Sequence, residues 1–326
     1  MQLILTTIFV KLFINAIGHY VPAGRIENSY FEALNGLSDE WIMQRTGIRT
    51  RSKASKTEST NTMAVDAVKD LKQFMSFPIE EVDLIVGASY SPVDTVFTLA
   101  HAVQREFDVR DAQALYVSSA CSSFVNALEI VQGYFAMGKA TKAIVVAAEH
   151  NWYYSQPNDP KAGHLWGDGA VALCITKERL DPSNHEIVDV YTRGLGHIGQ
   201  ANTAVNLTPK DNGIQMDNGR DVFMNACNYM KQALLTVLDR NNLMVDELDY
   251  LTGHQANMRI LTNVAEAIKI TDSNKILSNI EEFGNTGSPS NMIVIAQNKT
   301  RFKKGDLIGA TVFGGGYSCG AYVIRW

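Results

Sequence analysis

The sequence predicts an α/β fold built by duplicating one mixed unit, and three observations carry that prediction. An acidic helix exit, a short apolar run and a glycine occur twice, at Ile79-Glu80-Glu81-Val82-Asp83-Leu84-Ile85-Val86-Gly87 and at Val245-Asp246-Glu247-Leu248-Asp249-Tyr250-Leu251-Thr252-Gly253. Ala143 to Ala148 matches Leu307 to Val312, and Gly169 to Leu173 resembles Gly320 to Ile324, so the order of strands repeats as well. Stretches with helical spacing alternate with these runs, as a repeated supersecondary unit requires. With 326 residues, 46% of them hydrophobic and 19% charged, the chain has ample material to bury cores and a site.

In chain order, Met1 to Ala16 is largely apolar but lacks a basic leader, and Lys11 interrupts it. It is too short for a membrane span and reads as an extended start or first strand. Helix spacing covers Thr62 to Met75, and a second helix is predicted over Val93 to Phe107. Ala114 to Val117 reads as the end of a buried strand. After it Phe124, Ala127, Leu128, Val131 and Tyr134 recur at helical spacing, which puts Cys121 at a helix N-terminus. Ala143 to Ala148 and Gly169 to Leu173 are strands, separated by Trp152 to Leu165, a Tyr, Pro, Asn and Gly-rich insertion that reads as a loop. Leu180 to Glu186 links two halves, 13–180 and 181–326.

In the second half, Gly194-Leu195-Gly196-His197-Ile198-Gly199 has the glycine spacing of a dinucleotide site, but no helix follows and Pro209 comes soon after, so a loop is predicted. Helices follow at Asp221 to Arg240 and Met258 to Ile268, and a short apolar helix at Met292 to Ala296.

A net charge of −5 argues against binding driven by nucleic-acid phosphates. The four cysteines, Cys121, Cys174, Cys227 and Cys319, are widely spaced without metal-ligand or CxxC spacing, which fits a reduced cytoplasmic protein with no metal site. Among them Cys121, in Ser118-Ser119-Ala120-Cys121-Ser122-Ser123-Phe124, has the setting of a nucleophile. A helix N-terminus favours a thiolate and lowers a thiol pKa from about 8.5 to roughly 3.5–7.5.

The repeat brings two further residues to the same face. Asn285 corresponds to Cys121 by its offset, and His254 follows the glycine that ends the second-half strand, where the first half has Ala88. A cysteine, a histidine and an asparagine converging at strand ends and helix starts can carry out acyl transfer: the thiolate takes an acyl group from a thioester, and a neutral His254 Nε2–H with the Asn285 amide stabilises an enolate oxygen. A second oxyanion needs backbone amides at close range. Gly314-Gly315-Gly316 suits that approach, so the amides of Cys121 and Gly315 form the candidate hole.

Ala120-Cys121, Gly253-His254-Gln255-Ala256-Asn257, Gly284-Asn285-Thr286-Gly287 and Phe313-Gly314-Gly315-Gly316, with the ending Gly320 to Trp326, resemble the ketoacyl-acyl-carrier-protein synthase III family of the thiolase superfamily. The resemblance implies a five-layered αβαβα fold with pseudo-twofold duplication and a homodimer. It further implies decarboxylating condensation of an acyl thioester, supplied as acyl-coenzyme A, with malonyl on acyl carrier protein, without a cofactor. By carry-over, Trp41 stacks on the coenzyme A adenine and Arg45 holds its phosphates, Phe223 and Asn257 stand near the pantetheine arm, and Arg259 near the carrier protein. Arg220-Asp221-Val222-Phe223-Met224 departs from the family's Asn-Glu-Val-Phe-Lys, and only Lys161 stands where an arginine is expected before Gly167-Asp168-Gly169. Val96 or Phe97 matches the residue that gates the acyl pocket across the dimer. With Val96 there, the pocket is expected to exceed acetyl length, and the alternative reading is a specialised relative that uses a longer acyl or ketoacyl chain for a secondary lipid, resorcinol or polyketide. A thiolase needs its second cysteine before the glycine run, whereas Cys319 follows it. A hydroxymethylglutaryl synthase needs a glutamate base near the nucleophile, and the matching segment has none.

Overall fold

The computed structural model describes residues 10–208 and 213–326. Nine strands form one hydrogen-bonded sheet: β1 Leu12–Tyr20, β2 Leu84–Ala88, β3 Gln113–Val117, β4 Lys142–Glu149, β5 Gly169–Thr176, β6 His185–Gly194, β7 Tyr250–Gly253, β8 Leu307–Gly314 and β9 Ser318–Arg325. Their order is β7-β8-β9-β6-β1-β5-β4-β2-β3. The duplication is visible in the pairing. β2 and β4 are parallel and β4 and β5 antiparallel, and in the second half β7 and β8 are parallel and β8 and β9 antiparallel. The counterpart of β3 is reduced to a single parallel bridge between Leu251 and Ile276. The two halves join where Leu12 to Ile14 of β1 pairs antiparallel with His185 to Ile187 of β6.

The principal helices are α1 Asp39–Thr46, α2 Thr60–Lys72, α3 Leu99–Glu106, α4 Ser123–Ala136, α5 Gly219–Arg240, α6 Met258–Ala267 and α7 Ser290–Asn298. Strands buried on both faces read as unbroken apolar runs, and β4, β5 and β8 do so because helices cover both sides. Ile85, Ile144, Val146 and Ala172 pack under α2 and α3. Val86, Val145, Leu173, Ile308 and Val312 instead face Phe124, Leu128 and Val131 of α4 and Met292 to Ile295 of α7, which lie between the two halves. Val323 and Leu307 pack under α5 and α6. Those three cores make five layers, α-β-α-β-α, as the resemblance implies.

Local chemistry sets most element ends near their predicted positions. α1 starts at Ser38, whose hydroxyl accepts from the Trp41 amide at 3.2 Å, and stops at Gly47 in the left-handed region. The helix predicted from Val93 begins only at Leu99. Pro92 and Asp94 turn the chain first, with Asp94 Oδ1 accepting from the Val96 and Phe97 amides at 2.7 and 3.1 Å. The segment Gly194 to Gly199 leaves β6 and enters turns, as its sequence predicts. Trp152 to Leu165 holds one short helical turn, Asn151–Tyr154, and is otherwise turns and coil. Of the apolar start, β1 accounts for Leu12 onward, and residues 1–9 lie outside the described part. Among the described residues no helix is long and apolar enough to cross a membrane, and no cluster of His, Cys, Asp and Glu could hold a metal ion.

Candidate active site

Cys121 stands on a sharp turn between β3 and α4. Ala120 takes a left-handed φ of 48°, and the turn is tied by Ser123 Oγ donating to the Ala120 carbonyl at 2.5 Å and accepting from the Ser119 amide at 2.8 Å. Helix α4 starts at Ser123, two residues beyond the cysteine, so the thiol is not on its first turn. The expectation of a thiolate fails here. Burial first, and the nearby Glu149 carboxylate second, push the thiol up to about 12, outweighing what the Tyr90 hydroxyl and a backbone amide give back.

The positional match of Cys121 to Asn285 also needs correction: Ser288, two residues before α7, holds the place that Cys121 holds two residues before α4. Asn285 is placed by strand-like pairing. Its amide donates to the Leu165 carbonyl at 2.8 Å, and its carbonyl accepts from the Gly167 amide at 2.9 Å and from Asn151 Nδ2 at 3.1 Å. Its side-chain Oδ1 accepts from the Gly287 amide at 3.0 Å, which leaves Nδ2 as the free donor.

His254 follows β7, and its own amide donates to the Thr311 carbonyl at 2.9 Å. Ser290 Oγ lies 3.1 Å from Nδ1 and accepts from the Gln255 amide at 3.2 Å. A Ser290 hydroxyl that donates to Nδ1 places the ring proton on Nε2. Burial holds the imidazole pKa down to about 4, against a smaller opposing pull from the Gly287 backbone. His254 is therefore neutral at physiological pH, as the sequence predicts.

Cys121, His254, Asn285 and Gly315 line one cavity of about 50 Å³, with Phe313, Trp166, Ala256, Val205, Met216, Val222, Ala226, Met230 and Ile260 as its other walls. The glycine run lies against the nucleophile's backbone. A Cβ at Gly314 would come within 2.8 Å of the Ser119 carbonyl and 3.0 Å of the Cys121 amide, so only glycine allows this approach. The cavity holds roughly four waters.

The predicted substrate residues are half-buried or exposed and are not among the walls of this cavity. Arg45 stacks over the Trp41 ring at 4.2 Å, and Trp41 packs edge-on against His164 with ring centroids 5.5 Å apart. From the same helix α1, Met43 and Gln44 form a groove of about 440 Å³ with Phe223, Met258 and Arg259. The Arg259 guanidinium sits 5.6 Å from the Phe223 ring centroid. Asn257 is occupied in capping α6, its side chain accepting from the Arg259 amide at 2.9 Å. Lys161 lies 3.8 Å from Asp217, both exposed. Val96 is 83% exposed and is not a wall of the cavity at Cys121.

Two residues that sequence reasoning missed stand beside Cys121. Glu149 ends the apolar run of β4, fully buried, and accepts from Ser89 Oγ (2.9 Å), Ser91 Oγ (2.5 Å), Ser288 Oγ (2.5 Å) and the Tyr90 and Ser91 amides (3.2 and 3.1 Å). Burial outweighs these donors and raises its carboxyl to about 7. A glutamate does therefore stand near the nucleophile, although every donor around it is directed at its oxygens. Tyr90 places its hydroxyl at Cys121 and donates to Asn151 Oδ1 at 2.6 Å.

The five-layered duplicated fold with a nucleophile turn, a neutral histidine and an oriented amide at one cavity defines a condensing acyltransferase of the thiolase type. Residues 116–196 match the family model for 3-oxoacyl-[acyl-carrier-protein (ACP)] synthase III, and residues 238–326 the model for its C-terminal part. The beta-ketoacyl-[acyl-carrier-protein] synthase III of Aquifex aeolicus is 32% identical over 312 residues, covering 95% of this chain and 97% of that protein. The crystal structure of the Aquifex aeolicus enzyme superposes with a TM-score of 0.89 at 30% identity, covering 97% of this chain and 100% of the other. A priming beta-ketosynthase from the R1128 polyketide pathway shares the fold at TM-score 0.87 and 24% identity, over 96% of this chain and 95% of its own. The chain belongs to the beta-ketoacyl-acyl-carrier-protein synthase III family. It is an acyltransferase, and its reaction is the decarboxylating Claisen condensation that starts fatty acid synthesis.

Proposed function

We propose that Cys121 carries the acyl group, that His254 Nε2–H and Asn285 Nδ2 hold the enolate oxygen of a decarboxylating malonyl thioester, and that the amides of Cys121 and Gly315 hold the oxyanion when the enolate carbon attacks. The observation that carries this reading is that these residues wall one cavity. The neutral state of His254 supports the donor role, because an imidazole whose pKa is about 4 keeps its Nε2 proton without carrying charge. Because the resting thiol is protonated, attack on a thioester requires loss of that proton with substrate in place. No step requires a cofactor.

Acyl-coenzyme A is the donor and malonyl-acyl carrier protein the acceptor in this reading. The Trp41–Arg45 stack and the groove by Phe223 and Arg259 support a nucleotide and pantetheine approach from that side. Asn257 contributes by fixing the start of α6. Residues 13–180 supply the nucleophile and 181–326 the histidine and asparagine. A homodimer fits the sheet edge: among the described residues β3 pairs on one side only, and Val93, Val96, Phe97 and Tyr153 are exposed at 55, 83, 42 and 72%. The setting is cytoplasmic.

The test is synthesis of a β-ketoacyl carrier protein from acetyl-coenzyme A and malonyl-carrier protein, followed by mass spectrometry of the carrier. Product with wild type and none with C121A supports the reading, and equal product from both sinks it.

A further inference from the structure

Asn285 belongs to the second half of the chain, yet part of what fixes it comes from the first. Its carbonyl accepts from the Gly167 amide at 2.9 Å and from Asn151 Nδ2 at 3.1 Å, and the same Nδ2 donates to the Gly167 carbonyl at 2.7 Å. Asn151 thus spans both sides of the short parallel bridge in which Trp166 pairs with Asn285. It is fully buried, and its Oδ1 accepts from the Tyr90 hydroxyl at 2.6 Å. Two carbonyls face the nitrogen, so a flipped amide would set oxygen against oxygen twice, and that fixes which way the group points.

The anchor is itself held on both flanks. The His150 amide donates to Ser91 Oγ at 2.9 Å, and the Trp152 amide donates to Asp168 Oδ1 at 2.8 Å. Glu149 accepts from the Tyr90 amide and from the hydroxyls of Ser89, Ser91 and Ser288, so Tyr90 and Glu149 are fixed as well. The Asn285 side chain is then set from two points: its carbonyl by Gly167 and Asn151, and its Oδ1 by the Gly287 amide at 3.0 Å. Loss of the Asn151 amide removes a donor from two carbonyls at once. A buried carbonyl short of a donor is costly, and rotation of its peptide plane toward another donor turns Asn285 Nδ2 with it.

We propose that Asn151 is a positioning residue for the Asn285 donor, holding its backbone so that Nδ2 meets the enolate oxygen of the malonyl thioester. The inference rests on the reading of Asn285 as an enolate donor. Asn151 is not a wall of the cavity at Cys121, so it acts through Asn285 and not on substrate.

The experiment uses the full-length protein and reads two half-reactions, acylation of Cys121 by acetyl-coenzyme A as intact mass and carbon dioxide release from malonyl-carrier protein. N151L, close in size but without hydrogen bonds, and N151A, a second variant in case the first folds poorly, are each made in wild-type and N285A backgrounds. Either substitution is expected to slow carbon dioxide release by roughly 10–100-fold while leaving the acylation rate at the wild-type level. In the N285A background the same substitution adds no further loss, because the donor it positions is already gone. Unchanged decarboxylation, an equal loss in both half-reactions, or a full additional loss in the N285A background overturns the proposal. Wild-type decarboxylation in N285A alone overturns the underlying reading of Asn285 instead.

Discussion

Gly287 joins the Asn285 donor to the cluster beside Cys121, and replacing it with alanine probes that joint. Its φ of +74° lies in the left-handed region, and the added Cβ would stand 2.6 Å from both Glu149 Cγ and the Tyr90 hydroxyl. The backbone penalty is roughly 1–2 kcal/mol, and overlap with two pinned side chains adds roughly 1–3 kcal/mol. Stiffening the unfolded chain returns about 0.4–1 kcal/mol, so the net destabilisation is about 1–5 kcal/mol. Gly138 provides the control: its φ is +66° but nothing lies within 4 Å of a built Cβ. Gly138→Ala therefore carries the backbone penalty alone and should cost about 1 kcal/mol. Equilibrium denaturant unfolding of both variants measures the difference. If Gly287→Ala costs no more than Gly138→Ala, the packing of this joint has been misjudged, and with it the claim that Tyr90 and Glu149 are immobile.

Removing either enolate donor, by His254→Ala or Asn285→Ala, should slow malonyl decarboxylation by on the order of 10²–10³, read as carbon dioxide release, while Cys121 still accepts an acyl group. Burial and Glu149 hold the Cys121 thiol up at about 12, so its alkylation by iodoacetamide should keep rising with pH beyond 8.5. A plateau at or below pH 8.5 would contradict this. The imidazole of His254 has its pKa lowered to about 4, so the ring stays neutral as pH falls through 6.5 and gains charge only near 4. Decarboxylation should show no His254-dependent limb near pH 6.5. The same depression makes folding stability present above 6.5 and progressively lost as pH falls toward 4.

The duplication was legible because the sequence repeats its strands, and Cys121 and His254 because each follows a strand of the repeat, whereas Asn285 was reached by an offset that does not hold and is placed instead by its pairing with Leu165 and Gly167. His254 follows β7 as Ala88 closes β2, and the glycine motifs mark the close approaches. Glu149 and Tyr90 were not legible, because their meeting depends on strand register. Ala88 pairs with Val117 on one side and with Ala147 on the other, so two residues further along Tyr90, Ser119 and Glu149 come level at the same sheet end. Neither has a spacing signature, although a glutamate closing an apolar run and a Ser-Tyr-Ser step after a buried strand are visible afterwards as polar groups needing partners. The helix dipole misled for the thiol because α4 begins beyond Cys121, and because desolvation and a neighbouring carboxylate exceed what a helix end supplies. Helix α3 was overextended because Val93, Val96 and Phe97 have helical spacing but are exposed on an Asp94 turn.

The central claim is a covalent acyl group on Cys121 that a malonyl thioester discharges. Intact-mass spectrometry of wild type and Cys121→Ala after incubation with acetyl-coenzyme A, before and after malonyl-carrier protein is added, tests it most directly. The account predicts a mass gain of one acetyl group in wild type, none in the variant, and loss of the gain on adding malonyl-carrier protein. A wild-type protein that gains no acyl mass, or a Cys121→Ala protein that gains the same mass, would contradict it.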